Sequence, residues 1–129
     1  MIYVDTSVVL AHLLAEDRVP PAALWTETLV SSRLLEYEVW TRIHGQGLAR
    51  SHGDVVRQMI DRLALLELTP TVLARAREPF PMRVRTLDVL HLASLEFLRA
   101  HNPSVQLATY DQRLSEVARA LKVPLYALN

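Results

Sequence analysis

Asp5 directly follows the short apolar run Ile2-Tyr3-Val4, and Asp111 follows Thr109-Tyr110 at the end of a later one. In open α/β sheets, acids at the carboxyl ends of strands face the crevice where ligands bind. A third acid, Asp88, opens an otherwise apolar stretch, Thr86 to Ala93, with His91 three residues on and therefore on the same helical face. An acid at the buried end of such a helix needs a partner; the cheaper role for His91 is a satisfied core histidine rather than a metal ligand. Glu36 and Glu38 complete the acids of interest, but they stand about 200° apart around one helix, so only one can reach a shared site and the wheel does not choose. Each acid also has a plain explanation. Asp5, Asp88 and Asp111 suit helix starts, where a negative charge contributes about 0.3 to 1 kcal/mol, and Glu38 could pair with Arg42 one turn on.

If these acids meet, they constrain the chemistry. Two carboxylates about 4 Å apart repel by roughly 4 kcal/mol at an effective dielectric of 20, so a cluster takes up protons or binds a cation. The chain has no cysteine and no His-x-x-x-His pair, so the donors are carboxylate oxygens, the set that suits a partly hydrated Mg²⁺.

The elements that must position the acids are legible in the apolar pattern. Ile2 to Val4 reads as a buried strand feeding a helix to about Leu14, with Thr6 or Ser7 as its N-cap. After Pro20-Pro21, the segment from Ala22 to Thr28 suggests one or two helical turns, and Leu29 to Ser32 a second strand. Leu35, Val39 and Ile43 recur every four residues until Gly45 and Gly47, giving a helix, and a third helix follows from about Ser51 with Val55, Val56, Met59, Ile60 and Leu63 on one face. Leu65 to Thr69 can form a strand, Pro70 opens a helix to about Glu78, and 79–81 is a loop. Thr86 is expected to cap a helix over 87–100. Val105 to Thr109 forms another strand, Asp111 begins the last helix, which runs to about Leu121, and Leu125 to Leu128 forms a final strand. Alternation of this kind argues for an α/β fold, a parallel sheet with helices on both faces. No repeat, low-complexity stretch or linker interrupts it, so residues 1–129 are expected to form one domain.

Composition narrows the classes further. Basic and acidic residues both number 14, so no global field draws the protein to nucleic acid and any such contact comes from a local patch. Arg83, Arg85 and Arg113, adjacent in sequence to the acidic blocks, are the candidates, with solvated surface as the ordinary alternative. The absence of cysteine excludes a disulfide framework and any thiolate zinc site. The apolar stretch 1–14 lacks a basic leader and is interrupted by Asp5 and His12, so neither a signal peptide nor a membrane span is expected, and the cytoplasm is the expected location. Gly45, Gly47 and Gly53 are the only glycines and build no phosphate-cradling loop. A receiver domain would need a lysine just after a late strand, whereas the sole lysine, Lys122, precedes the final one.

Taken in order, Ile2-Tyr3-Val4-Asp5-Thr6-Ser7, the Ser31-Ser32 strand followed by Glu38-Val39 with Arg42, Asp88-x-x-His91-x-Ala93, and Thr109-x-Asp111-x-x-Leu114 resemble the successive motifs of PIN-domain proteins, and more narrowly of VapC toxins from bacterial toxin-antitoxin pairs. The resemblance spans essentially the whole chain. It implies a three-layer α/β/α sandwich around a central parallel sheet of four to five strands, and a Mg²⁺- or Mn²⁺-dependent ribonuclease, usually a homodimer inhibited by a cognate antitoxin. It selects Glu38 over Glu36, because the family acid is followed by an apolar residue and then a basic one, and it places the family's hydroxyls at Thr6, Ser7 and Thr109. On this reading Asp5 and Asp111 are the main metal ligands, direct or through water, while Asp88 and Glu38 complete the site or hold a second ion. Metal-activated water would attack an RNA phosphodiester without a covalent enzyme intermediate. The segment 79–85, rich in proline and arginine, and Ser94 after Ala93 depart from the family pattern. The alternative is a catalytically silent PIN-like module that binds RNA or protein; cleavage of DNA is a further variant. The apolar surfaces over 34–43 and 55–66 are candidate places for a partner, with core packing as the default.

Overall fold

A computed structural model describes all 129 residues. Four short strands, β1 (Ile2–Val4), β2 (Leu29–Ser32), β3 (Ala64–Leu66) and β4 (Gln106–Ala108), pair in the order β3-β2-β1-β4, and every pairing is parallel. The helices are α1 (Thr6–Leu13), α2 (Arg33–Gly45), α3 (Ala49–Asp61), α4 (Pro70–Ala76), α5 (Thr86–His101) and α6 (Gln112–Ala120), with a 3₁₀ turn over Ala22–Thr26.

Period-two alternation along β1 divides the core between the two sheet faces. Ile2 and Val4 pack with Val8, Val9, Leu35, Val39, Ile43, Val56 and Ile60, so α1, α2 and α3 cover one face. Tyr3 points the other way and packs with Val30, Leu92, Leu95, Leu107, Leu114 and Val117, placing α5 and α6 on the opposite face. The result is the expected three-layer α/β/α sandwich. The four-residue repeat Leu35, Val39, Ile43 is completely buried and is the stripe that fixes α2 on the sheet.

Several boundaries differ from the sequence expectation. Asp5, rather than Thr6 or Ser7, caps α1: it holds the extended backbone conformation of an N-cap and accepts from the Ser7 N–H. Thr6 is thereby freed for a side-chain contact elsewhere. Thr86 does not cap α5. Arg85 occupies that position and contributes no side-chain cap. The third strand ends at Leu66, short of Thr69, whose hydroxyl accepts from the Val72 N–H and starts α4. The expected final strand is reduced to one parallel bridge, Leu107 to Leu125, closed by bonds from Leu107 N–H to Pro124 O and Tyr126 N–H to Leu107 O. Pro124 lacks a backbone donor and cannot extend the ladder. Val55, expected on the inner face of α3, is 47% exposed; Val56, Met59, Ile60 and, just past the helix, Leu63 form the buried stripe.

Replacing Leu35, fully buried between α2 and the sheet, by alanine is expected to cost about 2 to 5 kcal/mol. Urea denaturation checks this, and a loss below about 1 kcal/mol would place Leu35 outside the cooperative core.

Candidate active site

The parallel pairing of β1 with β4 continues one residue beyond the strands, where the Asp5 N–H donates to Ala108 O at 3.0 Å. This brings Asp5 beside Thr109. Asp5 Oδ2 accepts from Thr109 Oγ1 at 2.9 Å, from Ser7 Oγ at 2.7 Å and from the Ser7 N–H at 3.3 Å. Thr109 Oγ1 in turn accepts from the Asp111 N–H at 2.9 Å, and Ser7 Oγ from the Tyr110 N–H at 3.0 Å. Two hydroxyls therefore lock the ends of the central strands together and orient both aspartates.

Asp111 caps α6, its Oδ1 accepting from the Arg113 and Leu114 N–H groups at 2.9 and 3.1 Å. Its Oδ2 accepts from Arg85 at 2.8 Å, and the same guanidinium reaches Asp88 Oδ2 at 3.2 Å. Glu38 enters from α2, with Oε1 accepting from Thr6 Oγ1 at 2.8 Å and lying 2.6 Å from His91 Nε2. Glu36 turns elsewhere and pairs with Arg33 at 2.9 Å. Arg42 does not meet Glu38 and instead lies 3.9 Å from Glu16.

Asp5, Glu38 and Asp111 each commit one oxygen to a hydroxyl, a histidine or a cap, whereas Asp88 is held only through Oδ2 by Arg85; Asp5 Oδ1, Glu38 Oε2 and Asp88 Oδ1 have no protein partner and Asp111 Oδ2 has only the exposed Arg85. Such carboxylates are held in orientation yet keep an oxygen for a ligand.

The electrostatics show how closely negative charge gathers. Burial raises the Asp88 pKa above the ordinary carboxylate value, the charge of Asp111 raises it further, Arg85 opposes the shift, and Asp5 adds to it. At His91 burial works against the charged form, but the hydrogen bond to Glu38 and the charges of Asp5, Glu38 and Asp88 outweigh it and leave the pKa raised. The Tyr3 phenol, 2.8 Å from His91 Nδ1, is pushed up by burial and stays neutral.

These residues fit a hydrated divalent ion. The donors are hard oxygens, and a cation already lies across two of them in the form of Arg85, whose side chain is 64% exposed and can move away. No three His, Asp or Glu side chains stand close enough together to hold a metal ion by themselves.

The chain belongs to the PIN-domain family. The model for that domain matches residues 2–120, nearly the whole fold just described. Among curated relatives, a protein named ribonuclease VapC46, from Mycobacterium tuberculosis strain H37Rv, is 31% identical over 130 residues, an alignment covering 98% of this chain and 96% of the relative. Ribonuclease VapC35 of the same organism is 28% identical over 132 residues with the same coverage, and ribonuclease VapC47 of strain CDC 1551 is 28% identical over 121 residues, 88% of this chain and 87% of the relative.

Within this PIN domain, Asp5, Ser7, Thr109, Asp111, Arg85 and Asp88 form one connected hydrogen-bonded group, and Glu38, Thr6 and His91 form a second. Arg83 and Arg113 are exposed, and their guanidinium groups make no ion pair. Two roles were not visible in the sequence: Arg85 as the counterion of Asp88 and Asp111, and Tyr3 with His91 as the support of Glu38. A clue to the second existed, since a tyrosine in a wholly buried strand and a histidine in an apolar helix both require polar partners. An open groove of about 670 Å³ shares Thr6 and Glu38 with the site and runs past Leu10, Leu34, Tyr37 and Leu87.

The raised Asp88 pKa carries a sign for stability. The folded, metal-free protein binds this proton more tightly than the unfolded chain, so stability declines as pH rises from the unfolded value, about 3.9, through the folded one. Asp88→Asn removes that cost and is expected to raise the Tm of the EDTA-treated protein at pH 7; a lower Tm would mean that the Arg85 contact outweighs burial and repulsion.

Proposed function

We propose that this PIN domain, folded as one unit over residues 1–129, is a Mg²⁺- or Mn²⁺-dependent endoribonuclease and the toxin of a VapBC-type toxin-antitoxin pair. The observation that carries the reading is the group of four acids, each with one oxygen restrained and another available, at the carboxyl edge of the sheet in a chain matched by the PIN model over residues 2–120. The relatives named ribonuclease, aligned over nearly their full lengths, support RNA as the substrate.

Asp5 Oδ1 and Asp111 Oδ2 are the oxygens we assign to the ion, with Asp88 and Glu38 completing the set. When bound, a divalent ion supplies an activated water and positive charge for the phosphate oxygens. The residues of the chain do the rest. Ser7 and Thr109 keep Asp5 oriented, and backbone donors of α6 keep Asp111 oriented. Glu38 Oε2 is the atom assigned to accept a proton from the attacking water; as the water oxygen bonds to phosphorus the P–O ester bond opposite it breaks, the leaving ribose oxygen takes a proton from solvent, and no covalent link to the enzyme forms. Arg85, released from Asp88 and Asp111, is suited to a substrate phosphate, and exposed Arg83 and Arg113 extend that basic rim. The groove past Tyr37 and Leu87, which are 66% and 47% exposed, offers apolar surface for the antitoxin. A second copy of the chain is assigned to the surface over 55–66, where Val55 is 47% exposed. No helix is long and apolar enough to cross a membrane, and we assign the protein to the cytoplasm.

Incubation with total cellular RNA and Mg²⁺ or Mn²⁺ is expected to give cleavage that EDTA abolishes, and Asp111→Asn is expected to lower the rate at least about 100-fold while the fold persists. Undiminished cleavage by the variant, or in EDTA, would defeat the assignment. Mn²⁺ binding by the wild type without cleavage of any RNA would favour a silent RNA- or protein-binding module.

Replacing Arg83 or Arg113 by alanine is expected to weaken RNA binding and to reduce the slope of log K against log salt by about 0.7 per lost single-strand phosphate contact. An unchanged slope would return that arginine to solvated surface.

A further inference from the structure

Glu38 reaches the acid group from α2, and a line of buried side chains holds it there. Tyr3 on β1 is wholly buried, with its phenol oxygen 2.8 Å from His91 Nδ1, and the two rings meet edge to face at 5.9 Å and 84°. His91 on α5 is 2% exposed, and its Nε2 lies 2.6 Å from Glu38 Oε1. The Thr6 hydroxyl donates to the same oxygen at 2.8 Å. One polar line thus runs from β1 through α5 to α2 and ends on a single oxygen of a single carboxylate.

Two features separate this line from ordinary core packing. An imidazole and a phenol in the interior are costly unless fully paired, whereas apolar side chains of similar size would fill the space without desolvating polar atoms. The geometry is also directional. In the neutral ring the phenol donates to Nδ1 and leaves the proton on Nε2; in the imidazolium, which the neighbouring acids favour, both nitrogens donate, so in either form the Nε2 proton faces Glu38 and the phenol fixes the plane of the ring. With Oε1 held by two donors, the orientation of Oε2 is fixed as well.

We propose that His91, braced by Tyr3, is the positioning residue for Glu38: its Nε2 pins Oε1 so that Oε2 is presented to the ion and the attacking water. The assignment rests on the reading of Glu38 as an active-site acid. His91 touches neither the ion nor the RNA, and its whole effect passes through the carboxylate.

The test compares Glu38→Ala, His91→Asn, His91→Gln, Tyr3→Phe and the double variant Glu38→Ala/His91→Asn, after wild type and Asp111→Asn have established RNA cleavage in the same assay. A glutamine amide nitrogen can stand near the place of Nε2 and keep the bond to Glu38, whereas an asparagine amide stands near Nδ1 and reaches only Tyr3. His91→Asn is expected to lower kcat by about 10- to 100-fold with little change in KM. His91→Gln is expected to recover most of that loss, and Tyr3→Phe, which removes one oxygen and keeps the ring, to lower kcat by a smaller factor. The double variant is expected to be no slower than Glu38→Ala alone, as required when one residue acts only through another. Equal losses in His91→Asn and His91→Gln that follow their Tm values, or a double variant slower by the product of the single effects, would overturn the proposal. If either His91 variant fails to fold, an unaltered kcat in Tyr3→Phe overturns it and a reduced kcat at unchanged Tm supports it. If the wild type cleaves no RNA, the nuclease reading fails separately, and Mn²⁺ affinity measured by electron paramagnetic resonance decides: weakening in His91→Asn equal to that in Glu38→Ala, with recovery in His91→Gln, supports positioning, and any other pattern overturns it.

Discussion

The parallel register between β1 and β4 is the constraint on which the site depends. Ile2, Tyr3 and Val4 stand opposite Gln106, Leu107 and Ala108, and the Asp5 N–H to Ala108 O bond extends the ladder by one step. A slip of one residue would turn Tyr3 toward α1 and α2 and send Ile2 and Val4 to the other face, exchanging the two halves of the core. It would also separate Asp5 from Thr109 and break the hydroxyl link that carries the register into the loops. Packing and the geometry of the acid group are therefore specified by the same three pairs of residues.

That register forces like charges together, and the protein manages the repulsion in two ways. One is restraint: a cap, hydroxyls and a histidine take an oxygen of Asp111, Asp5 and Glu38, so these three acids are held against rotating apart. The other is Arg85, whose guanidinium spans Asp88 and Asp111 from a side chain that is largely exposed. The arginine end of these pairs is solvated while the two carboxylates are mostly covered, so on the proposed reading Arg85 is the partner that can swing into solvent when a divalent ion takes its place. Asp88 remains the group under most strain, raised in pKa by burial and by its neighbours. A site of this kind retains a stability cost because its function depends on the same crowding.

The layers were legible in the sequence because they follow from periodicity. The repeat at Leu35, Val39 and Ile43, the alternation at Ile2, Tyr3 and Val4, and the strand-helix order each record a local pattern of burial. The ends of elements were less legible, for local reasons that compete. Asp5, Thr6 and Ser7 can all cap a helix; Asp5 does so, while the Thr6 hydroxyl goes to Glu38 and the Ser7 hydroxyl to Asp5 itself. Thr86 failed as a cap because the extended residue before α5 is Arg85. At the site, Asp5 and Asp111 could be placed at strand ends from pattern alone, but their adjacency required the order β3-β2-β1-β4, which is a property of the sheet. The separation of Glu36 from Glu38 was invisible to the helical wheel and came from the resemblance to PIN domains; the structure accounts for it through Arg33, which draws Glu36 away.

The tie between Tyr3, His91 and Glu38 shows what a single sequence withholds. Its members are separated by 88 and 53 positions, and each has a plain local explanation as a β-forming aromatic, a core histidine or a surface acid. The assumption that a core histidine is merely satisfied is correct as far as hydrogen bonding goes, because both ring nitrogens are paired. What it misses is direction. A polar group that needs a partner can be satisfied by water or backbone with no consequence elsewhere, but here the partner is a carboxylate at the edge of the acid group, so satisfying the histidine also fixes the acid. Buried polar networks are costly unless every member is paired, and this one is completed only when Glu38 turns inward. The same demand that makes His91 compatible with the core therefore brings the fourth carboxylate to the site.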